Sequence, residues 1–144
     1  MSTYQEMRLR QQQEFNALPL GFAFSQEQFD EMMRGWGLHP KRNVKNICSI
    51  GNGIYIQKKD VGLLVQTNAR HKKELATAIA ADTTGSGFIF EMFYYELKNH
   101  EYGYTGDAKD TLESLNYTME QVQSDKCLCK GFERARKKIM GEEA

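Results

Sequence analysis

Three histidines, three cysteines and one dense polar–aromatic stretch are where this chain could do chemistry. His39, His71 and His100 stand apart, in neither an H-x3-H nor an H-E-x-x-H spacing. Zinc needs three or four ligands gathered by such spacings or by the fold, so no metal site is expected. Cys127 and Cys129 are two residues apart. In a helix such residues point away from each other, and small, half-buried thiols are expected there. Nucleophilic catalysis needs a hydroxyl or thiol activated by a base, and the chain carries no G-x-S-x-G or comparable signature. Gly85-Ser86-Gly87, ahead of an apolar helix, offers free N–H groups to an anion. It lacks the lysine and spacing of a P-loop, and a flexible cap is the competing reading. No catalytic residue and no cofactor are expected.

The most loaded stretch is Asn99-His100-Glu101-Tyr102-Gly103-Tyr104. A histidine beside a carboxylate has the parts for acid–base work. The same residues could close a helix, since His100 is favoured at the C-terminal dipole. Tyr102 and Tyr104 could be core or interface anchors. Capping and core, interface, and catalysis all stay open for this stretch.

Net charge is zero, but the charges are segregated along the chain. Residues 41–73 hold eight basic side chains and one acidic, net +7; residues 74–120 hold two basic and nine acidic, net −7. Either the two segments pack side by side and neutralise each other, or they form separate cationic and acidic faces. Separate faces make Lys58, Lys59, Arg70, Lys72 and Lys73 one candidate partner-binding set, and Glu101, Tyr102, Tyr104 and Asp107 another. The basic set could contact phosphates, and Arg134, Arg136, Lys137 and Lys138 form a second cluster. The helix pair at 107–115 and 118–124 lacks the long basic second helix that a DNA-reading helix-turn-helix requires.

The elements that must position these residues follow from spacing and caps. Residues 3–18 predict a polar helix with Met7, Leu9, Phe15 and Leu18 as its apolar residues and Gln11–Gln13 as a solvated face. Ser25 with Gln28 is a capping box, with Phe24 placed to staple onto Phe29; Phe29, Met32, Met33 and Trp36 follow at helical spacing. Asn46–Ile50 and Ile54–Gln57 flank Gly51-Asn52-Gly53, whose Asn-Gly turn is the strongest short-range hairpin signal. A helix runs from Asp60 to about Ala81 on Val61, Leu64, Val65, Leu75 and Ile79, with a break possible in the polar middle, 66–73. Thr84 or Ser86 could cap the next helix, which is apolar nearly all round and belongs at the centre of the fold. Its Glu91, Glu96 and Lys98 need outlets to water. Thr118 with Gln121 is a second capping box. The last helix, from about 125 to 140, buries Leu128, Phe132, Ala135 and Ile139.

The expected fold is therefore α+β, mostly α: a compact helical domain with one β-hairpin (about residues 46–57) around a central apolar helix (about 88–99). Its 144 residues suit one domain. Residues 1–20 are expected as a polar helix or arm, 21–140 as the globular domain and 141–144 as a frayed tail. An odd cysteine count argues for a reducing compartment. The early charges do not suit a signal peptide, and no apolar run nears the roughly 20 residues that span a bilayer. A cytoplasmic protein without a membrane partner is expected.

Phe22–Phe29 (FAFSQEQF), Ser49–Ile54 (SIGNGI) and Glu91–Tyr102 (EMFYYELKNHEY) resemble a family of small uncharacterised proteins from bacteriophages and low-GC Gram-positive bacteria, over about residues 20–140. The family brings no established activity and no catalytic residues. The resemblance implies a phage or mobile-element setting in a bacterial host cell, where small proteins often act by binding. The leading expectation is a non-enzymatic interaction module: a phage-encoded, anti-CRISPR-like inhibitor of a bacterial defence system that binds a host protein, a nucleic-acid-binding effector among the candidates. One alternative is a nucleic-acid-binding accessory protein using the basic 41–73 segment. Another is a small-molecule sequestrant or small enzyme using the His100 region.

Overall fold

Prolines, glycines and capping residues cut this chain into short elements, and the computed structural model describes them over residues 2–143. The fold is α+β and mostly α, with eight α-helices and a three-stranded antiparallel sheet among the described residues. The chain divides into two compact units: residues 1–9 with 73–144 form unit 1, and residues 10–72 form unit 2. The basic stretch thus ends almost where unit 2 ends, and the acidic stretch lies in unit 1. No helix among the described residues is long and apolar enough to cross a membrane.

Unit 2 carries the sheet. Strands β2 (Ile47–Gly51) and β3 (Ile54–Gln57) form the expected hairpin. Asn52 and Gly53 sit at φ 54° and 74°, the left-handed conformation that an Asn-Gly turn tolerates. A strand that sequence spacing does not suggest, β1 (Leu20–Phe22), pairs with β3 and completes the order β1-β3-β2. Gly21 makes this possible: a Cβ there would collide with Met32 and Trp36, so helix α2 (Gln26–Gly35) lies close over the strand.

The cap of α2 forms in modified shape. Ser25 Oγ accepts from Gln28 N at 3.1 Å, but Gln28 Oε1 accepts from Phe24 N at 2.7 Å rather than from Ser25. Phe24, placed to staple onto Phe29, lines one recess with it. Its ring lies over Gly53 and stays 76% exposed, while Phe29 meets Tyr55 edge-on at 5.5 Å.

A 3-10 turn at Lys58–Asp60 feeds α3 (Val61–Ala81), a continuous helix with no break. Residues 66–73 hold neither glycine nor proline, so their polarity only wets the helix surface. Leu64 and Thr67 are buried, whereas Val65, expected in the core, is exposed; one residue along a helix is a turn of about 100°.

Unit 1 is organised around α4 (Phe88–Asn99) against α8 (Lys126–Glu143). Ile89, Met92, Phe93 and Leu97 meet Leu128, Phe132, Ala135 and Ile139 in one buried cluster, with Phe93 and Phe132 edge-to-face at 5.4 Å. The two helices approach closely at Gly131, where a Cβ would strike Ile89 and the Gly85 carbonyl. The expectation of a central apolar helix and of the α8 stripe holds residue by residue. Three short helices complete the unit: α5 (Tyr102–Thr105), α6 (Lys109–Ser114) and α7 (Met119–Ser124). The Thr118–Gln121 capping box of α7 forms as expected, whereas α5 lies where sequence suggests a loop.

The polar N-terminal helix, α1 (Thr3–Asn16), contributes to both units. Tyr4, outside the expected apolar set, is fully buried in unit 1 against Phe88 and Tyr95, each at 5.7 Å. Gln11, expected on a solvated face, is buried in unit 2, with its amide 3.4 Å from the His71 carbonyl. Glu96 has no outlet to water; it is buried in the unit 1 core. At the other end α8 runs helical to Glu143; of the expected frayed tail, Ala144 lies outside the described residues.

Candidate functional site

The loop that could have held an anion is occupied by the chain's own carboxylate. Asp82 Oδ1 accepts from Gly85 N at 2.9 Å and Thr84 N at 3.2 Å, and Oδ2 accepts from Ile89 N at 3.0 Å and Gly87 N at 3.1 Å. Partial burial opposes ionisation of Asp82, but these amides outweigh it and hold its pKa below the usual aspartate value. Asp82, rather than Thr84 or Ser86, therefore satisfies the start of α4.

Each histidine already has a local partner. His39 Nδ1 accepts from the backbone N–H groups of Lys41 and Arg42, both at 3.1 Å. His71 Nε2 lies 3.4 Å from Glu14 Oε2. His100 Nδ1 donates to the Glu96 carbonyl at 2.8 Å, closing α4. Among the described residues no group of three or more His, Cys, Asp or Glu could hold a metal ion. Cys127 Sγ donates to the Thr83 carbonyl at 3.2 Å.

The residues after His100 separate in space. Glu101 takes a left-handed conformation, φ 61°, and is exposed. Tyr102 turns inward to the unit 1 core, beside the Arg136 guanidinium, and is only 6% exposed; it offers nothing to a partner. Tyr104 is 90% exposed. Asp107 Oδ1 accepts from Lys109 N at 2.9 Å, leading into α6. A cleft of about 430 Å³ in this unit is lined by Phe90, Tyr94, Tyr95, Lys98 and Asn99 among others, and not by His100. Its rim is pinned from outside: Lys98 and Lys138 stand 5.1 and 4.7 Å from the Tyr94 ring centre, and the Tyr94 hydroxyl donates to Glu142 at 2.6 Å.

The basic candidates also separate. Lys58 and Lys59 join Lys45, Asn46 and Gln57 around a recess of about 370 Å³ at the open end of the hairpin. Arg70, Lys72 and Lys73 lie on α3 itself, some three turns beyond its start, about 15 Å by helical rise. There Arg70 pairs with Glu14, which also holds Arg10 at 2.8 Å. The Arg70 guanidinium, helped by His71 and Arg10, pulls the Glu14 pKa down to about 2. Lys72 and Lys73 are exposed.

Sequence reasoning overlooks the exposed apolar side chains of unit 2. Phe22, Phe24, Val44, Ile50, Leu63 and Val65 are all exposed there, against Leu9, Tyr104, Met119 and Met140 in unit 1. Phe22 and Ile54 are register partners across β1 and β3, hence on one face. The apolar Phe-Ala-Phe run was the available signal, and it reads equally well as core.

A small sheet-bearing unit that turns apolar and cationic side chains outward, joined in one chain to a helical unit with a closed core, defines an α+β protein with a candidate binding surface. The chain belongs to a family of unknown function, DUF7659, whose family model matches residues 3–138. No curated protein and no solved structure matches it.

Proposed function

We propose that this protein is a non-enzymatic interaction module that binds another protein through the sheet-bearing surface of unit 2. One observation carries the reading: six large apolar side chains of unit 2 face solvent, and the same unit carries the lysine recess at Lys45, Lys58 and Lys59. Exposed apolar patches rimmed by polar groups mark interaction sites. Phe24 at 76% exposure is the natural central anchor, since buried aromatics dominate interface energetics. The finer reading, an inhibitor of a bacterial defence system acting on a host protein, is supported by the resemblance to small phage and Gram-positive proteins rather than by geometry.

The test is affinity capture from the source cell with the full chain, with and without nuclease, beside a Phe24→Ser/Ile50→Ser variant. A stoichiometric protein partner that survives nuclease and is lost with the variant is the expected result. Recovery of nucleic acid alone, lost at high salt and on Lys58→Glu/Lys59→Glu, would replace this reading with nucleic-acid binding through the basic segment.

A further inference from the structure

Strand β2 forms one edge of the sheet, with β3 as its only strand partner among the described residues. From Ser49 to Gly51 it is exposed, and its outer row of backbone N–H and C=O groups is a template for pairing with another chain. The edge is short, about 17 Å at strand rise, and a bulge falls between Ser49 and Gly51. Its ends differ in chemistry. At the Ile47 end lies the recess of Lys45, Asn46, Gln57, Lys58 and Lys59, which no carboxylate lines. At the Gly51 end stands the exposed Ile50, while the Phe24 ring over Gly53 lies across β3, on the β1 side.

We propose that unit 2 takes its partner as an added β-strand: an acidic, extended segment of another protein lies along the outer edge of β2, its carboxylates in the lysine recess and its apolar residues toward Ile50. This rests on the reading of unit 2 as the interaction surface and names the chemistry of the partner. Main-chain pairing supplies affinity in such strand addition, and the flanking side chains supply specificity. The lysines decide between occupants. A second copy paired in parallel would bring lysines toward lysines, and one paired antiparallel would set each recess against the copy's uncharged Gly51 end; neither answers the charge, so the recess favours carboxylates.

The test uses the full chain and a labelled peptide of alternating valine and glutamate, followed by fluorescence anisotropy and by amide hydrogen exchange across 47–51. Binding with slowed exchange at Ser49–Gly51 is expected. The same peptide with alternate backbone nitrogens methylated keeps its charges but cannot complete a ladder, and should bind about tenfold or more weakly. Lys58→Glu/Lys59→Glu should weaken binding similarly, while Lys72→Glu/Lys73→Glu, the same charge change made on α3 away from the recess, should weaken it far less. Equal binding of the methylated peptide overturns strand addition, as does a preference for oligothymidylate over the peptide. A captured protein that depends on Phe24 and Ile50, together with no exchange protection on β2, sinks this proposal while leaving the interaction reading intact. Loss of capture alone strikes that reading and not the peptide result.

Discussion

Unit 1 and unit 2 solve the same packing problem in opposite ways. In unit 1 twelve buried residues form one contiguous cluster centred on α4 and α8. Unit 2 buries only Ala23, Met33, Ile47, Ile56 and Leu64 among its apolar residues, and exposes six large ones. A fully buried Leu, Ile or Phe contributes about 1.5–3 kcal/mol relative to an exposed one, so unit 1 holds most of the hydrophobic stabilisation. Apolar residues left outside a thin core contribute little to folding and are available to something else. The difference separates a scaffold from a surface.

The largest expected effect breaks or keeps that contrast directly. Phe93→Ala removes a ring packed on Phe132 and Tyr117 and should cost about 3–5 kcal/mol. Phe24→Ala should cost under about 0.5 kcal/mol. Urea denaturation of both variants measures this; equal losses would make Phe24 structural and end the contrast.

Next in size is the carboxylate plug of unit 1. Asp82→Asn keeps the size but loses the charge that four amides favour, at about 1–2 kcal/mol. Because its folded pKa lies below the unfolded value, Asp82 stabilises the protein above the unfolded aspartate pKa of about 3.9. That contribution is lost as pH falls through the folded value. Denaturation midpoints followed down from pH 6 should fall less steeply in the variant than in the native chain. Parallel curves would mean that the amides do not distinguish the ionised group.

The electrostatics of unit 2 should be softer. Glu14 also has a lowered pKa, about 2, but it is held by Arg70 and Arg10 at the surface, where salt screens. Glu14→Gln should therefore matter less than Asp82→Asn, and its effect should fade in high salt while that of Asp82→Asn persists. An effect of Glu14→Gln that survives high salt would show the Glu14 cluster to be sheltered from solvent.

What sequence could show follows the same division. Unit 1 was legible because a buried helix pair leaves a full periodic signature: Ile89, Met92, Phe93 and Leu97 against Leu128, Phe132, Ala135 and Ile139. The Asn52-Gly53 hairpin was legible because its turn chemistry is local. Strand β1 was not, since three residues carry no periodicity and its pairing depends on the distant β3. The Asp82 plug was hidden because its partners at 84–89 are found only when the loop closes. Exposure of Phe24 and Val65 was hidden because an apolar residue does not announce which side of a helix or strand its neighbours cover. The charge blocks were legible, but not that Lys58 and Lys59 would part from Arg70, a matter of helix length.

The smallest expected effect tests how far unit 1's closed core extends. Tyr4 enters it from α1, its buried hydroxyl facing the Glu96 carboxylate without a well-formed hydrogen bond. Burial, and then the nearby Glu96 carboxylate, push the phenol's pKa up. A buried hydroxyl so loosely held costs desolvation and returns little, whereas its ring packs on Phe88 and Tyr95. Tyr4→Phe keeps the ring and removes the loosely held hydroxyl, so stability should change by less than about 0.5 kcal/mol or rise slightly. Tyr4→Ala should cost about 3–5 kcal/mol. Urea midpoints of the two variants separate the roles: a large loss in Tyr4→Phe would place a bonded hydroxyl in the core, and a small loss in Tyr4→Ala would return the start of α1 to the status of a loosely docked arm.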